Sequence, residues 1–294
     1  NLGMSYSICN VLAESGTSNV ARWVPYDLNE NQLTNRISNK MIRPTTIPQT
    51  LEVLKVEQAI AREALRLSFE QHKDFAVSLK GIQQERTISD AFEQTSSGQT
   101  IVDMMSLKLL VGSGGVLSHA PRRSQAARML IDAFLPEGIT ELAVDSIFMM
   151  PQLGVLSTVH PKAALEVFEK DCLIRLGTCV APVGPQKENT AILEYNIDYG
   201  NEVLSGKLMS GEMKLLKIPY ETVKANFIPG KGLDVGMGVN EQVDIDISGG
   251  VVGIILDGRG RNPFVLPKNS NARIKSLLEW SNEVEEYPKE ESNN

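Results

Sequence analysis

Three glycines stand where an apolar run gives way to a helical one: Gly112, Gly114 and Gly115 in LKLLVGSGGVLSHAPRR. A strand feeding a helix leaves backbone N–H groups unpaired at the helix start, together with the positive end of the helix dipole. Glycines at such a corner let a ligand approach the backbone closely. The chemistry this supports is nucleotide binding; the alternative is a tight connection that binds nothing. A Walker A loop would require Gly-Lys-Ser/Thr, and none follows. A dinucleotide fingerprint would need a third glycine where Leu117 stands. Its acidic residue would then fall near Asp132, within a helix rather than at a strand end.

Other groups point to less. DVGMG (Asp234 to Gly238) places an aspartate beside two glycines, but after the turn sequence PGKGL, so a glycine-rich hairpin turn is the expectation over a metal or phosphate site. His72 and His160 lack partners at metal-ligand spacing, and no metal site is expected. His119 and the pair Arg122 and Arg123 follow the glycines and could meet phosphate, or simply a solvated turn. Asp145 closes an apolar run, as a ligand-side residue or a cap. Asp257, Arg259 and Arg261 in LDGRGR read as a charged β-turn, exposed and suited to a partner contact. Cys172 and Cys179 sit in apolar surroundings as inert thiols. No nucleophile, base and orienting group come together, so no catalytic residue is assigned.

The elements that must position the glycine corner are legible around it. Leu51, Leu54, Ile60, Ala64, Leu67 and Phe69 recur at helical spacing and predict a long helix from about Gln49 to Lys73. Thr87 to Gln94 reads as a second, shorter helix and TSSGQT as a loop. Leu107 to Val111 is a short strand, Ser124 to Phe134 a helix, Glu141 to Met150 another buried strand, and Pro161 to Lys170 a helix with proline in its first turn. This strand–helix alternation implies an α/β layer with parallel strands. Asn1 to Asp27 suggests a strand edge and a helix, and Asn29 to Thr46 a polar loop. From residue 191 the runs ILEYNI, KLLKI, VDIDI, VVGIIL and FVLP, separated by glycines, read as a β-rich module of hairpins. Residues 1–190 therefore form the α/β unit, 191–270 the β-rich one, and 271–294 a short helix with a frayed, disordered tail.

Composition narrows the classes. The 294 residues suffice for a sizeable core. The formal charge of -7 is the wrong sign for a nucleic-acid surface. No apolar run approaches the roughly 20 residues of a membrane span. Three cysteines without a CxxC argue against a disulfide scaffold and favour a reducing cytoplasm. The opening NLGMSYSICNVL reads as mid-domain sequence, so the chain is expected to be a fragment or a processed product.

LKLLVGSGGVLSHAPRRSQAARMLID resembles the adenosine-binding motif of the actin, sugar kinase and Hsp70 superfamily. That resemblance implies that Gly114 and Gly115 contact the nucleotide, that Gly112 shapes the turn, and that Ser113 or Ser118 adds a hydroxyl. An upstream helix supplies charged contacts in that superfamily. EQAIAREALRLSF is in the corresponding place, which makes Glu63 and Arg66, one turn apart, its candidates; the alternative is a solvated i,i+3 pair. The match to one family is closer. VGSGGVLSHAPRR, PEGITELAVDSIFMMPQLG, GTCVAPVG, NLGMSYS and GVVGIILDGRGRNPFVLP resemble the MutL-type accessory proteins of methylaspartate (glutamate) mutase, over about Asn1 to Pro267. They are distinct from the DNA-repair proteins of similar name. The resemblance implies an actin-like (ribonuclease H-like) ATPase lobe followed by a β-rich module, ATP or ADP with magnesium as cofactor, and an adenosylcobalamin-dependent mutase as partner, served by reactivation. The family's Asp-x-Gly phosphate motifs would lie upstream of Asn1, so the chain is expected to be the C-terminal part and inactive alone as an ATPase. Two readings stay open beside it: an interaction module without nucleotide binding, and a small-molecule kinase of the same superfamily.

Overall fold

The computed structural model describes residues 2–76, 101–200, 202–261 and 263–288. Four helices open the chain: α1 (Ile8–Ser15), α2 (Thr17–Ala21), α3 (Glu30–Ile42) and α4 (Leu51–Phe75). No strand edge is found in the first 27 described positions, and the expected polar loop after Asn29 is helical. Asn29 and Gln32 form a reciprocal capping box that starts α3, and Leu33 and Ile37 bury its inner face. Thr50 caps α4 through the Val53 amide. The helix and loop expected over 87–94 and 95–100 lie outside the described residues.

The central unit follows: β1 (Leu109–Gly112), α5 (Gly115–Ser118), α6 (Arg123–Phe134) and β2 (Gly138–Asp145). β1 and β2 pair in parallel, as the strand–helix–strand order predicts. β2 stops at Asp145, short of the expected Met150, because the Asp145 carboxylate takes the amides of Ile147, Met149 and Met150 and turns the chain. Two short helices, α7 (Met150–Ser157) and α8 (Pro161–Val167), lead through a π-helical turn (Phe168–Cys172) into β3 (Leu173–Ala181). Then come β4 (Ala191–Tyr199), β5 (Glu202–Met209), β6 (Met213–Leu216), β7 (Thr222–Pro229), β8 (Val243–Ser248), β9 (Gly253–Asp257) and α9 (Ser270–Glu283).

The strands form two sheets, ordered β1-β2-β3-β9-β6 and β5-β4-β7-β8. The change of texture near residue 190 marks the start of the second sheet, yet β6 and β9, which lie beyond it, pair into the first. Period-2 alternation explains how one sheet serves two cores. Cys179, Ala181 and Ile255 face the helical layer with Ile60, Leu130 and Trp280. Val180, Ile254 and Leu256 face the second sheet with Ile197, Phe227 and Val243. The result is a mixed α/β architecture of three layers: helices, first sheet, second sheet. α6 lies in the middle of the helical side, with its residues Ser124 to Ala133 all buried. Among the described residues no helix is long and apolar enough to cross a membrane.

β3 and β9 meet where both carry glycine. Gly177 has φ +137°, and a Cβ there would lie 1.8 Å from the Gly253 carbonyl oxygen. Neither backbone can yield without breaking the parallel ladder between them. Gly177→Ala is therefore expected to cost about 3 kcal/mol or more, read as a lower urea midpoint at unchanged m-value.

Candidate functional site

The glycine corner sits at the end of β1, with each glycine placed for a different reason. Gly112 is buried and pairs with Val144 of β2. A Cβ on it would press within 2.9 Å of Leu117 and 3.0 Å of Leu130. It is the glycine of close strand–helix packing. Gly114 has φ +116° and nothing within 4 Å of where a Cβ would stand; here the backbone conformation, not crowding, calls for glycine. Gly115 opens α5, is exposed, and would bring a Cβ no closer than 3.9 Å to the Phe148 ring. The Gly114 carbonyl accepts from the Leu117 and Ser118 amides and the Gly115 carbonyl from His119, so the turn is braced from behind while its outer face stays open.

Asp145 joins this corner to the next one. Its side chain is buried beneath both. Besides the three amides of its own turn it receives the Ser113 hydroxyl at 3.5 Å, and the Ser118 hydroxyl donates to its backbone carbonyl. Asp145 is thus a structural tie between the ends of β1 and β2. The Phe148 ring, on a residue with φ +60°, lies beside Gly115 and 5.7 Å from the His119 ring. The floor of the corner is thus glycine backbone and its rim aromatic. Arg123 donates to the Ser118 carbonyl and Arg122 to the Glu285 carbonyl; both are helix-start contacts.

α4 packs along α6 and touches α5, which brings the second pair of sequence candidates to the same side. Glu63 is fully buried. Its carboxylate accepts from Arg22 (2.6 and 3.1 Å), Trp23 Nε1 (2.7 Å) and Arg66 (2.7 and 2.9 Å). Five donors saturate the roughly four lone-pair sites of a carboxylate. Glu63 therefore holds Arg66, through a bidentate pair, and Arg66 keeps the part-exposed guanidinium. The pair is not a solvated i,i+3 contact, since one member is buried.

The largest concentration of charge escaped the sequence. Arg62, Arg128, Asp132, Asp257, Arg259, Arg261 and Glu286 are all buried. Asp132 accepts from Arg62 (2.8 Å), Arg128 (2.9 Å) and Arg259 (2.6 Å), and Asp257 from Arg259 and Arg261 (2.8 Å each). Arg62 also pairs with Glu286 at 2.7 Å. Trp23, Phe264 and Trp280 lie against the guanidinium faces. The LDGRGR segment is thus an interior strut rather than an exposed β-turn. The expected frayed tail is packed as far as Tyr287, since Val284 and Glu286 are buried and the Tyr287 hydroxyl reaches Gln58. The one legible signal was Arg128 and Asp132 at i,i+4 on a helix whose residues from Ala126 to Phe134 are otherwise apolar. DVGMG behaves as turn chemistry: Asp234 accepts from the amides of Gly236 and Gly238. Burial, with Asp257 adding, pushes the Cys179 thiol up to about 12, consistent with an inert core cysteine.

The comparisons with known proteins bear on residues 1–172, which match the family model described as MutL protein. The chain belongs to the MutL protein family. It is similar to Protein MutL of Clostridium tetanomorphum, with 22% identity over 175 residues. That match takes in 58% of this chain and 35% of the relative, so the chain spans well under two thirds of that protein's length. No solved structure matches. The matched stretch contains α4, the glycine corner, Asp145 and α6, but not the LDGRGR strut or the C-terminal segment.

The ion cluster has a pH signature. Burial alone would raise the Asp132 carboxyl, but Arg128, Arg259 and Arg62 outweigh it and hold it well below the usual range; Arg259 and Arg261 do the same for Asp257. Folded values below unfolded ones give stability that is fully present above about pH 4 and lost as pH falls through the folded values. Thermal stability is expected to hold on the alkaline side of that point and to fall steadily below it. Asp132→Asn should cost about 3–5 kcal/mol at neutral pH, by leaving guanidiniums uncompensated, and should flatten the acid limb of the profile.

Proposed function

We propose that this MutL-family chain is part of an accessory factor for a cobalamin-dependent glutamate-type mutase, and that its glycine corner receives the adenosine part of ATP or ADP. Family membership supports the accessory role. The observation that carries the nucleotide reading is the open face at Gly114 and Gly115. Gly115 is exposed there beside an aromatic rim, and nothing stands within 4 Å of where a Cβ on Gly114 would lie. A flat purine or ribose could rest on such a surface by van der Waals contact with the backbone, with the Ser113 hydroxyl beside it and Arg66, on the neighbouring α4, as the candidate guanidinium. Glu63 then acts as a positioning residue for Arg66, and Gly112 as a packing residue beneath the turn.

Magnesium and phosphate fit this chain less well. Among the described residues no group of three or more His, Cys, Asp or Glu side chains could hold a metal ion. On this reading the phosphate and magnesium ligands belong to residues outside this chain, and the chain supplies the base-and-sugar face of a site completed elsewhere. An actin-like arrangement, in which nucleotide couples lobe closure to partner binding, would make that division useful. The mutase subunits are the proposed partner.

The exposed Gly115 separates binding from folding. Gly115→Val adds a side chain into open space, so stability should stay within about 0.5 kcal/mol of the parent. Adenosine, ADP and ATP binding by calorimetry should weaken by at least about tenfold. Absence of heat with all three nucleotides on the parent chain, or equal affinity in the Gly115→Val variant, would overturn the nucleotide reading.

A further inference from the structure

The C-terminal segment after α9 is held as a bound peptide is held. Its backbone carbonyls are read by side chains of α6: Ser124 Oγ donates to the Glu285 carbonyl at 3.0 Å and Gln125 Nε2 to the Glu286 carbonyl at 2.9 Å. Its side chains are read one by one. Glu286 enters the buried ion cluster and accepts from Arg62 Nη2 at 2.7 Å. The Tyr287 hydroxyl donates to Gln58 Oε1, and Lys55 lies 5.0 Å above the Tyr287 ring. Lys217 pairs with Glu285. The recognition elements come from α4, α6 and β6 with the residues just after it, all distant in sequence from residues 284–288.

The fit is incomplete on the receiving side. Four guanidiniums (Arg62, Arg128, Arg259, Arg261) face three carboxylates (Asp132, Asp257, Glu286), an excess of one positive charge in a buried place. Arg128 Nη1 stands 3.9 Å from the nearer Glu286 oxygen, and among the described residues neither it nor Gln58 Nε2 meets a hydrogen-bond acceptor. Arg128 is 1% exposed and Gln58 0%. Unpaired donors buried this deeply cost about 1–3 kcal/mol each. Beside the segment, a groove of about 570 Å³ continues outward past Glu285, lined by Arg122, Arg123 and Lys217. The basic track is therefore longer than the acidic segment that occupies its inner end.

We propose that the cleft that α4, α6 and the end of β6 form around residues 284–288 is a recognition site for an acidic, aromatic-containing peptide segment of a partner protein, held here in cis by those residues. A partner segment with a further carboxylate could reach Arg128 Nη1, which Glu286 leaves without an acceptor among the described residues, and compete with Glu285 for Lys217. Binding would then proceed by exchange: the cis segment leaves, and the partner's segment takes its contacts and adds to them. This use of an arginine-lined pocket for carboxylate side chains follows general acidic-motif recognition.

The test uses a fluorescently tagged peptide of sequence EVEEYP, residues 283–288, titrated against the full chain by anisotropy. The Glu286→Ala chain, whose cis segment is weakened, should bind it at least about tenfold more tightly than the wild type, and a peptide with glutamine at the position of Glu286 should lose about tenfold or more. Should Glu286→Ala fail to fold, Glu286→Gln keeps the side-chain shape and is read in the same way. On the wild-type chain, excess untagged peptide should speed amide hydrogen exchange at residues 284–287. Equal affinity of wild type and variant, indifference to the glutamine peptide, or unchanged exchange would show the segment to be a structural clasp and overturn the proposal. A wild-type dimer that forms with concentration and is dissolved by the peptide would assign the groove to exchange between copies, and overturn the partner reading.

Discussion

A buried aspartate gathers the helical layer around itself. Asp132, near the end of α6, takes guanidiniums from α4, from its own helix and from the loop after β9. Those arginines in turn reach Asp257 at the end of β9 and Glu286 beyond α9. Segments from the first, second and last quarters of the chain therefore meet around one carboxylate. A buried ion cluster of this kind contributes little net stability compared with an apolar core of the same volume. It is directional, however: guanidiniums donate in fixed forks, so α4, α6 and the C-terminal segment fit together in one arrangement. The helices need such a constraint. α6 is buried along nearly its whole length, and small residues such as Ala126, Ala127 and Ala133 would leave its rotation against α4 loosely set.

The glycine corner depends on that arrangement at one remove. β1 is only four residues long and sits at the edge of its sheet. Its position is set by the parallel ladder to β2, by Gly112 packed under Leu117 and Leu130, and by Asp145 tying Ser113 and Ser118 to the start of the next turn. α6 supplies Leu130 beneath Gly112, and α4, which touches α5, carries Arg66 held by Glu63. Ion cluster and glycine corner thus share the same two helices on different faces.

Much of the frame was legible in the residues. The periodicity of Leu51 to Phe69 marked α4, and the run LKLLV followed by glycines marked β1 and its turn. The alternation in ILEYNI and VDIDI marked strands of the second sheet. These are local signals, in which a residue's neighbours in sequence are also its neighbours in space. The short opening helices were harder. α3 hides behind a polar composition and declares itself only through the capping pair Asn29 and Gln32. The end of β2 was misplaced because IFMM is apolar, while the turn that ends the strand is made by a single carboxylate, Asp145, gathering three amides.

The sequence by itself determined family membership, the order of most elements and the place of the glycine corner, since each rests on residues close together in the chain. Only the tertiary structure decided what the charges do. Glu63 looked like a surface residue able to meet a ligand, and is a buried anchor with five donors. Arg259 and Arg261 looked like an exposed turn, and are an interior strut. Glu286 looked like part of a frayed tail, and fills an arginine pocket. The physical reason is common to all three. Whether a charged side chain is solvated or buried depends on whether a partner of opposite sign arrives to meet it, and here Arg22, Asp132 and Arg62 reach Glu63, Arg259 and Glu286 from 41, 127 and 224 positions away in the chain.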